Sequence, residues 1–167
     1  MVDLQNFTSD DGLNIAQQFS ARPGDIIIST FPKTGTTWVQ QILHQLRTRG
    51  DTSFDEITEV VPWLEISPSV HIDLNKDQVE NPRCFKSHQL LSALSHLEKD
   101  GAKFVYTIRN PQKTLLSHFK FMHSHGHSST ASGDINDFIQ SSFTLGKSVD
   151  GDSLPQFGGT IWDHYSE

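Results

Sequence analysis

The chain has 167 residues, of which 35% are hydrophobic and 20% charged, and its formal net charge is -7. This length suits one domain with its own core and is short for two. The acidic balance argues against a nucleic-acid binder with a broad basic surface, although a few focused cations can still form a local anion site. No apolar stretch approaches a membrane span, and the polar N-terminus is unlike a secretory signal. We therefore expect neither a nucleic-acid nor a membrane partner.

The chain contains a single cysteine, Cys84, which cannot form an internal disulfide. Free cysteines are typical of proteins in a reducing compartment, so we expect a cytoplasmic protein. In that setting the glycosylation sequon at residues 6–8 is interpreted as a chance match.

Three stretches predict buried strands. Residues 25–30 (DIIIST) carry three consecutive isoleucines after a Pro-Gly turn, residues 83–86 (RCFK) form a shorter run, and residues 103–108 (KFVYTI) follow Asp-Gly. Short β-branched runs of this kind are typical of parallel strands covered on both faces.

Each predicted strand is followed by apolar residues at helical spacing. The first set is Trp38, Ile42, Leu43 and Leu46, the second is Leu90, Leu91, Leu94 and Leu97, and the third is Leu115, Leu116, Phe119 and Met122. Pro111 suits the first helical position of the third helix, and Asp134 is expected to cap a further helix. Alternating strands and helices predict an α/β fold, a parallel sheet flanked by helices. Residues 123–133 and 144–160 are expected to be loops.

The segment 31–38 (FPKTGTTW) lies between the clearest strand and the clearest helix. A glycine in such a turn lets the backbone approach a ligand, and the unpaired N–H groups that begin the helix favour an anion. Lys33 adds a full charge, while Thr34, Thr36 and Thr37 add hydroxyls. The alternative is a simple turn with a capping threonine. The segment is not the G-x-x-x-x-G-K-[ST] loop of nucleoside triphosphatases, because it has one glycine and the lysine precedes it.

Two further strand ends carry polar side chains that suit the same kind of site. Ligands collect beyond the carboxyl ends of parallel strands, where Lys33, His88 and Arg109 are all expected. A neutral imidazole there can accept a proton, although an exposed turn histidine is the usual alternative. Arg109 offers a planar fork for phosphate, and Ser117 lies about two turns into the next helix. The alternative for this pair is an exposed arginine before an ordinary helix.

These three blocks together resemble the cytosolic sulfotransferases. FPKTGTTW is similar to the family's 5′-phosphosulfate loop, residues 85–88 (FKSH) to its K-[ST]-H block, and residues 106–111 (YTIRNP) with Ser117 to its 3′-phosphate block. The resemblance implies a P-loop-kinase-like fold and the co-substrate 3′-phosphoadenosine-5′-phosphosulfate (PAPS). One departure is Gln112-Lys113, where the family commonly has Lys-Asp; we expect it to alter local pairing without affecting PAPS binding.

The resemblance also implies roles for single residues. His88 is the general base, and Lys33 and Lys86 stabilise charge on the transferring group. The acceptor, a phenol, sterol or amine, would contact Lys86, His88 and also Trp63, since residues 61–65 (VPWLE) resemble the family's VPFLE segment. Core packing is the alternative for that tryptophan. The residues implied in PAPS binding are Lys33, Thr34, Gly35, Thr36, Thr37, Trp38, Arg109 and Ser117.

The resemblance implies a domain organisation as well. Residues 1–20 form an N-terminal segment, and residues 21–167 form the PAPS-binding half of a sulfotransferase domain. Residues 157–164 (FGGTIWDH) resemble the start of the family's next long helix, so we expect a domain truncated at its C-terminus. A truncated, inactive or nucleotide-binding-only homologue is the main alternative. A P-loop small-molecule kinase is another, and it would need Mg²⁺ and a second loop glycine.

Four histidines close together in the sequence invite a metal-binding interpretation. They are His118, His123, His125 and His127. The last three alternate in a Gly-Ser-rich run that contains no cysteine or acidic partner, so a solvated loop is favoured over a metal site. We expect no metal in the reaction.

Overall fold

The computed structural model describes residues 10–126, 133–140 and 159–167. The sequon at residues 6–8, His127 and most of the predicted loop 144–160 lie outside the described residues. The helices are α1 (Asp10–Gln18), α2 (Thr36–Thr48), α3 (Ile57–Val60), α4 (Ser95–Lys99), α5 (Pro111–Ser124), α6 (Ile135–Phe138) and α7 (Ile161–Ser166). Short 3₁₀ helices cover Leu64–Ile66 and Ser92–Leu94. None of the described helices is long and apolar enough to cross a membrane.

A three-stranded parallel sheet forms the centre of the molecule. Its strands are β1 (Ile26–Ser29), β2 (Cys84–Ser87) and β3 (Lys103–Val105), arranged in the order β2-β1-β3. Ile26 of β1 is in register with Cys84 on one side and with Lys103 on the other. The predicted parallel α/β architecture is confirmed. Because all three strands run the same way, their carboxyl ends meet at one edge of the sheet.

The third strand is shorter than the predicted run 103–108. Its pairing with β1 ends at Val105, which lies opposite Ile28. Tyr106 then turns toward α7, where its hydroxyl donates a hydrogen bond to the His164 carbonyl. The β-branched pattern of the sequence continues past Val105, but pairing with β1 stops there, although β1 itself continues to Ser29.

The sheet is covered on both faces, as its apolar strands predict. Ile27 packs in one buried cluster with Phe85 and Leu97, and its neighbour Ile28 packs in another with Val61. Successive residues of a strand point to opposite faces, so adjacent isoleucines serve two different cores. The edge where ligands are expected therefore rests on a sheet that is held from both sides.

Most of the apolar face predicted for α2 does not point to the core, although its residue Leu43 packs against the buried cluster that contains Ile28. Trp38, Ile42 and Leu46 are 77%, 51% and 72% exposed, whereas the buried residues of this helix are Thr36, Gln40 and His44. Thr36 and Gln40 tolerate burial because they are hydrogen-bonded: the Gln40 amide donates to the Val61 carbonyl at 3.1 Å, and the Thr36 hydroxyl pairs with that of Thr30. The helix was predicted correctly, but the face it buries was not.

The predicted helix starts near the site are confirmed. Pro111 occupies the beginning of α5, and the Asn110 side chain accepts a hydrogen bond from the Lys113 amide. The Asp134 carboxylate accepts from the Asn136 amide at the start of α6, which buries Phe138. Both caps fix where these helices begin, and α5 in turn places its side chains over the carboxyl edge of the sheet.

Candidate active site

A cleft of about 380 Å³ lies at the carboxyl edge of the sheet. Three strand-to-helix connections, far apart in sequence, contribute to its walls. The predicted site residues that line it are Lys33, Gly35, Thr36, Thr37, Trp38, Trp63, Lys86, His88, Arg109 and Ser117. Of the predicted site residues, Thr34 alone does not line this cleft.

The loop between β1 and α2 is shaped by two left-handed residues. Lys33 has a φ of 66° and Gly35 a φ of 114°. A side chain at Gly35 would meet no atom within 4 Å, so the glycine is needed for its backbone conformation and not for space. Gly35 is also the N-cap of α2 and supplies no capping side chain. The first amides of α2 therefore remain available for an anion.

The loop threonines divide into inward and outward residues. The Thr34 hydroxyl donates to the Phe31 carbonyl at 2.6 Å and pairs with the Thr107 hydroxyl at 3.0 Å. The Thr36 hydroxyl is buried and pairs with that of Thr30 at 2.5 Å. Thr37 is exposed at the cleft. The side chain of Thr34 thus supports the loop and ties it to the connection after β3.

His88 is held by its ring nitrogen Nδ1 just beyond β2. Nδ1 lies 2.6 Å from the carbonyl oxygen of Thr30, and the ring meets the indole of Trp63 edge to face with centroids 5.0 Å apart. A carbonyl oxygen only accepts, so Nδ1 must carry the proton. The lone pair of the neutral imidazole is then on Nε2, which is the arrangement that a general base requires.

Burial keeps this imidazole neutral. It lowers the pKa of His88 well below its ordinary value, and the nearby Lys86 ammonium lowers it further. The Thr30 carbonyl opposes the shift by accepting from Nδ1, while the positive forms of His164 and His118 add to it. His88 is consequently unprotonated on Nε2 throughout the neutral pH range.

The two lysines of the cleft rest on aromatic faces. The Lys86 Nζ lies 3.7 Å from the ring centroid of Trp63, and the Lys33 Nζ lies 4.1 Å from that of Phe121. Burial lowers the pKa of Lys86 to about 8, with Glu65 opposing the shift and Lys33 adding to it. Burial also lowers the pKa of Lys33, as does repulsion from Arg109. Two partly desolvated cations in one cleft attract an anion strongly.

Arg109 and Ser117 lie on the β3 side of the cleft. The Arg109 guanidinium donates to the Lys33 carbonyl at 2.9 Å, which joins the connection after β3 to the loop before α2. The Arg109 amide donates to the Tyr165 hydroxyl at 3.1 Å, and that hydroxyl donates in return to the Arg109 carbonyl. Arg109 is exposed and Ser117 is half-buried, so both are accessible from the cleft.

The sequence interpretation missed several residues of the cleft. Phe121 and Met122 of α5 give it an apolar wall, and His118 also reaches it. Helical spacing from Ser117 places Phe121 on the same face, so that signal was present in the sequence. Glu65 is buried behind the cleft. The VPWLE segment contains this residue, but the sequence assigned it no role, because a glutamate is ordinarily exposed.

The predicted histidine cluster divides into different environments. His118 is buried and meets Phe31 and Phe138 edge to face, whereas His123 and His125 are exposed. Within the ranges that the structure describes, no three histidine, cysteine or acidic side chains are arranged to hold a metal ion. The expectation of a metal-free reaction stays a prediction.

Comparison with known proteins finds sulfotransferases among the relatives of this chain. Mouse sulfotransferase 1 family member D1 is 36% identical over 111 residues, and human sulfotransferase 1E1 is 36% identical over 113 residues. Each alignment covers 63% of this chain and 38% of the relative, so the aligned part spans well under half the length of these proteins.

Solved structures show the same fold. A mouse sulfotransferase, SULT7A1, complexed with PAP superposes with a TM-score of 0.66 at 21% identity, covering 97% of this chain and 52% of that one. An Arabidopsis thaliana putative steroid sulphotransferase gives 0.65 at 24% identity, covering 92% and 52%. The sulfotransferase domain family matches residues 23–167. The chain therefore belongs to the sulfotransferase domain family.

Proposed function

We propose that this protein transfers the sulfuryl group of PAPS to a hydroxyl or amine of a small-molecule acceptor. The observation that carries the proposal is that Lys33, Lys86, His88, Arg109 and Ser117, which come from three separate connections, line one cleft. An anion loop, two cations and a neutral imidazole are the parts that sulfuryl transfer needs.

The chemistry assigns a task to each part. The acceptor oxygen or nitrogen forms a bond to sulfur while the bond from sulfur to the bridging phosphosulfate oxygen breaks. The electron pair stays on that oxygen, which leaves as the 5′-phosphate of adenosine 3′,5′-bisphosphate. His88 Nε2 takes the acceptor proton, since Nδ1 is already bonded to Thr30. Lys33, Lys86 and the first amides of α2 stabilise the charge that develops, which is ordinarily the largest single contribution to catalysis.

The remaining residues position the two substrates. Arg109 and Ser117 would bind the 3′-phosphate of PAPS, because a guanidinium fork and a hydroxyl suit a phosphate. Trp38 presents an exposed indole at the mouth of the same cleft. Trp63, Phe121 and Met122 offer an apolar surface, which favours a phenol, sterol or amine acceptor over a nucleic acid. The buried free thiol of Cys84 supports a cytoplasmic location.

Two measurements test the proposal. Calorimetric titration with adenosine 3′,5′-bisphosphate in the absence of Mg²⁺ should show binding, because Lys33, Lys86 and Arg109 supply positive charge to the cleft. Incubation with labelled PAPS and a mixed panel of phenols, sterols and amines should then yield labelled product. Bisphosphate binding without transfer to any acceptor would support a nucleotide-binding homologue instead. A strict requirement for Mg²⁺, with phosphoryl transfer from ATP, would support a kinase.

The rate of transfer should also depend on pH. Lys86 is a cation only below its pKa of about 8, so kcat/KM should fall as the pH rises through that value. The acid limb should lie below pH 6.5, because the pKa of His88 is lowered from that value. A pH-rate profile from about pH 4 to about pH 10 checks both limbs. Lys86→Arg keeps the positive charge at alkaline pH and should remove the fall of kcat/KM near pH 8. An unchanged alkaline limb in that variant would show that titration of Lys86 does not cause the fall.

A further inference from the structure

A buried carboxylate lies directly behind the turn that carries His88. Glu65, in the 3₁₀ helix after Trp63, is 1% exposed and does not line the cleft. Its Oε1 accepts hydrogen bonds from the Ser87 hydroxyl and, at 3.3 Å, from the His88 amide. Its Oε2 is buried with no hydrogen-bond partner among the described residues. No lysine or arginine among the described residues forms an ion pair with the Glu65 carboxylate.

Such a carboxylate is costly to bury, so its contacts need a reason. Fully buried acids are rare unless they are paired, and an apolar side chain of the same volume would pack behind β2 at lower cost. Burial accordingly raises the pKa of Glu65, and the Ser87 hydroxyl opposes that shift first, followed by backbone amides and Lys86. The hydrogen bonds that Oε1 accepts from Ser87 and His88 both come from the end of β2.

The alternating directions of the side chains along β2 explain what the hydrogen bonds of Glu65 control. Successive side chains of an extended segment point to opposite sides, so Lys86 and His88 lie on one side and Ser87 on the other. Lys86 and His88 line the cleft, and Ser87 meets Glu65 behind it. The Ser87 hydroxyl also accepts from the Gln89 amide at 3.0 Å, which extends the bonded group past the turn.

We propose that Glu65 is a positioning residue: by binding the Ser87 hydroxyl and the His88 amide, it fixes the turn after β2 and so orients both His88 and Lys86 in the cleft. The consequence for sulfuryl transfer rests on the proposed function. The orientation of the His88 ring does not rest on that function. Its Nδ1 bond to Thr30 requires the turn to keep its present direction, whatever ligand the cleft binds.

Several ionisable groups face Lys86 and His88 and influence the pKa values of these two side chains. Lys86 faces Glu65 from the 3₁₀ helix and Lys33 from the loop before α2. His88 faces His118 of α5 and His164 of α7 as well as Lys86. Ser87→Ala leaves all of these groups in place, so a shift of the His88 signals in that variant reports the turn itself. Glu65→Met and Glu65→Gln both remove the carboxylate that faces Lys86, so a difference between these two reports the acceptor oxygen and not the charge.

Three variants separate hydrogen bonding from charge and from packing. Glu65→Gln keeps an oxygen acceptor at nearly the same place, Glu65→Met keeps the volume and removes the acceptor, and Ser87→Ala removes the hydroxyl on the opposite side. The exposed Glu98→Gln on α4 serves as a matched control. Nitrogen NMR of labelled histidine reports the tautomer and pKa of His88 in each variant, and calorimetry with adenosine 3′,5′-bisphosphate reports the rest of the cleft.

Glu65→Met and Ser87→Ala should each give His88 a mixture of tautomers and lower kcat about tenfold with a smaller change in the KM for PAPS. Glu65→Gln should restore the single tautomer and most of kcat. The double variant Glu65→Met/Ser87→Ala should lose little more than either alone, because both remove one shared contact.

Unchanged His88 signals in Ser87→Ala, or in a folded Glu65→Met protein, would overturn the proposal. So would a Glu65→Gln variant as impaired as Glu65→Met, since the two differ in the acceptor oxygen. If no acceptor is ever sulfated but the His88 tautomer responds as expected, the proposed function fails while the positioning role of Glu65 stands.

Discussion

Replacing His88 by alanine should lower kcat for sulfuryl transfer by about 10²–10⁴-fold, the range that a general base supplies. The acceptor proton would lose its base, since the proton on Nδ1 that bonds Thr30 leaves the lone pair of this ring on Nε2. The loop before α2, Arg109 and Ser117 do not depend on the imidazole. The affinity for adenosine 3′,5′-bisphosphate should therefore change by less than about threefold, which is small beside the expected loss of kcat.

The measurement pairs steady-state kinetics with calorimetry on the same protein preparation. His71→Asn is a suitable control, because His71 is exposed, lies outside the cleft and has a φ of 56° that asparagine tolerates. Wild-type turnover in His88→Ala would remove this histidine from the mechanism. An equal loss of bisphosphate binding and of turnover would assign it to nucleotide binding instead.

Replacing Lys33 by methionine should lower kcat/KM for PAPS by about 10²–10³-fold, the usual effect of removing one preorganised group that stabilises the transition state. Methionine keeps most of the length and the contact with Phe121 but removes the charge. Both residues pay a similar penalty at the left-handed φ of 66°, so the backbone cost largely cancels in the comparison. The loss then reports the charge.

Bisphosphate titration at several salt concentrations completes the test of Lys33. The affinity of Lys33→Met should be lower and less sensitive to salt than that of the unmodified protein, because one cation near the phosphate is gone. Lys99→Met, an exposed change on α4, gives the background effect of removing a positive charge from the surface. A Lys33→Met protein with the same kcat/KM as the Lys99→Met control would contradict the assigned role.

The strands and the anion loop could be predicted because their signals are local. Three consecutive isoleucines predict a buried parallel strand, and a lysine and a glycine between that strand and a helix predict an anion-binding turn. In the structure the isoleucines belong to β1 (residues 26–29), and the lysine and glycine lie in the loop before α2. The left-handed φ of Gly35 is of the kind that glycine in such a turn adopts.

The buried face of α2 could not be predicted, because burial depends on partners elsewhere in the chain. The periodic Trp38, Ile42 and Leu46 indicated a core-facing stripe, yet Gln40 and His44 are buried in its place. Gln40 is tolerated there through the Val61 carbonyl, which lies in a segment that no helical pattern connects to α2. For the same reason Thr34 donates its hydroxyl within the fold and Glu65 is buried behind the cleft.

The segment FPKTGTTW, the lysine and histidine of FKSH, and the arginine and serine after β3 determine by themselves which chemical groups this protein offers to a ligand. Residue types and short-range backbone preferences are written in the chain and need no partner. Their convergence is a property of the tertiary structure, because only the parallel order β2-β1-β3 brings three distant connections to one edge. The tautomer of His88, the lowered pKa of Lys86 and the buried Glu65 were also decided there, since each depends on what packs around the side chain.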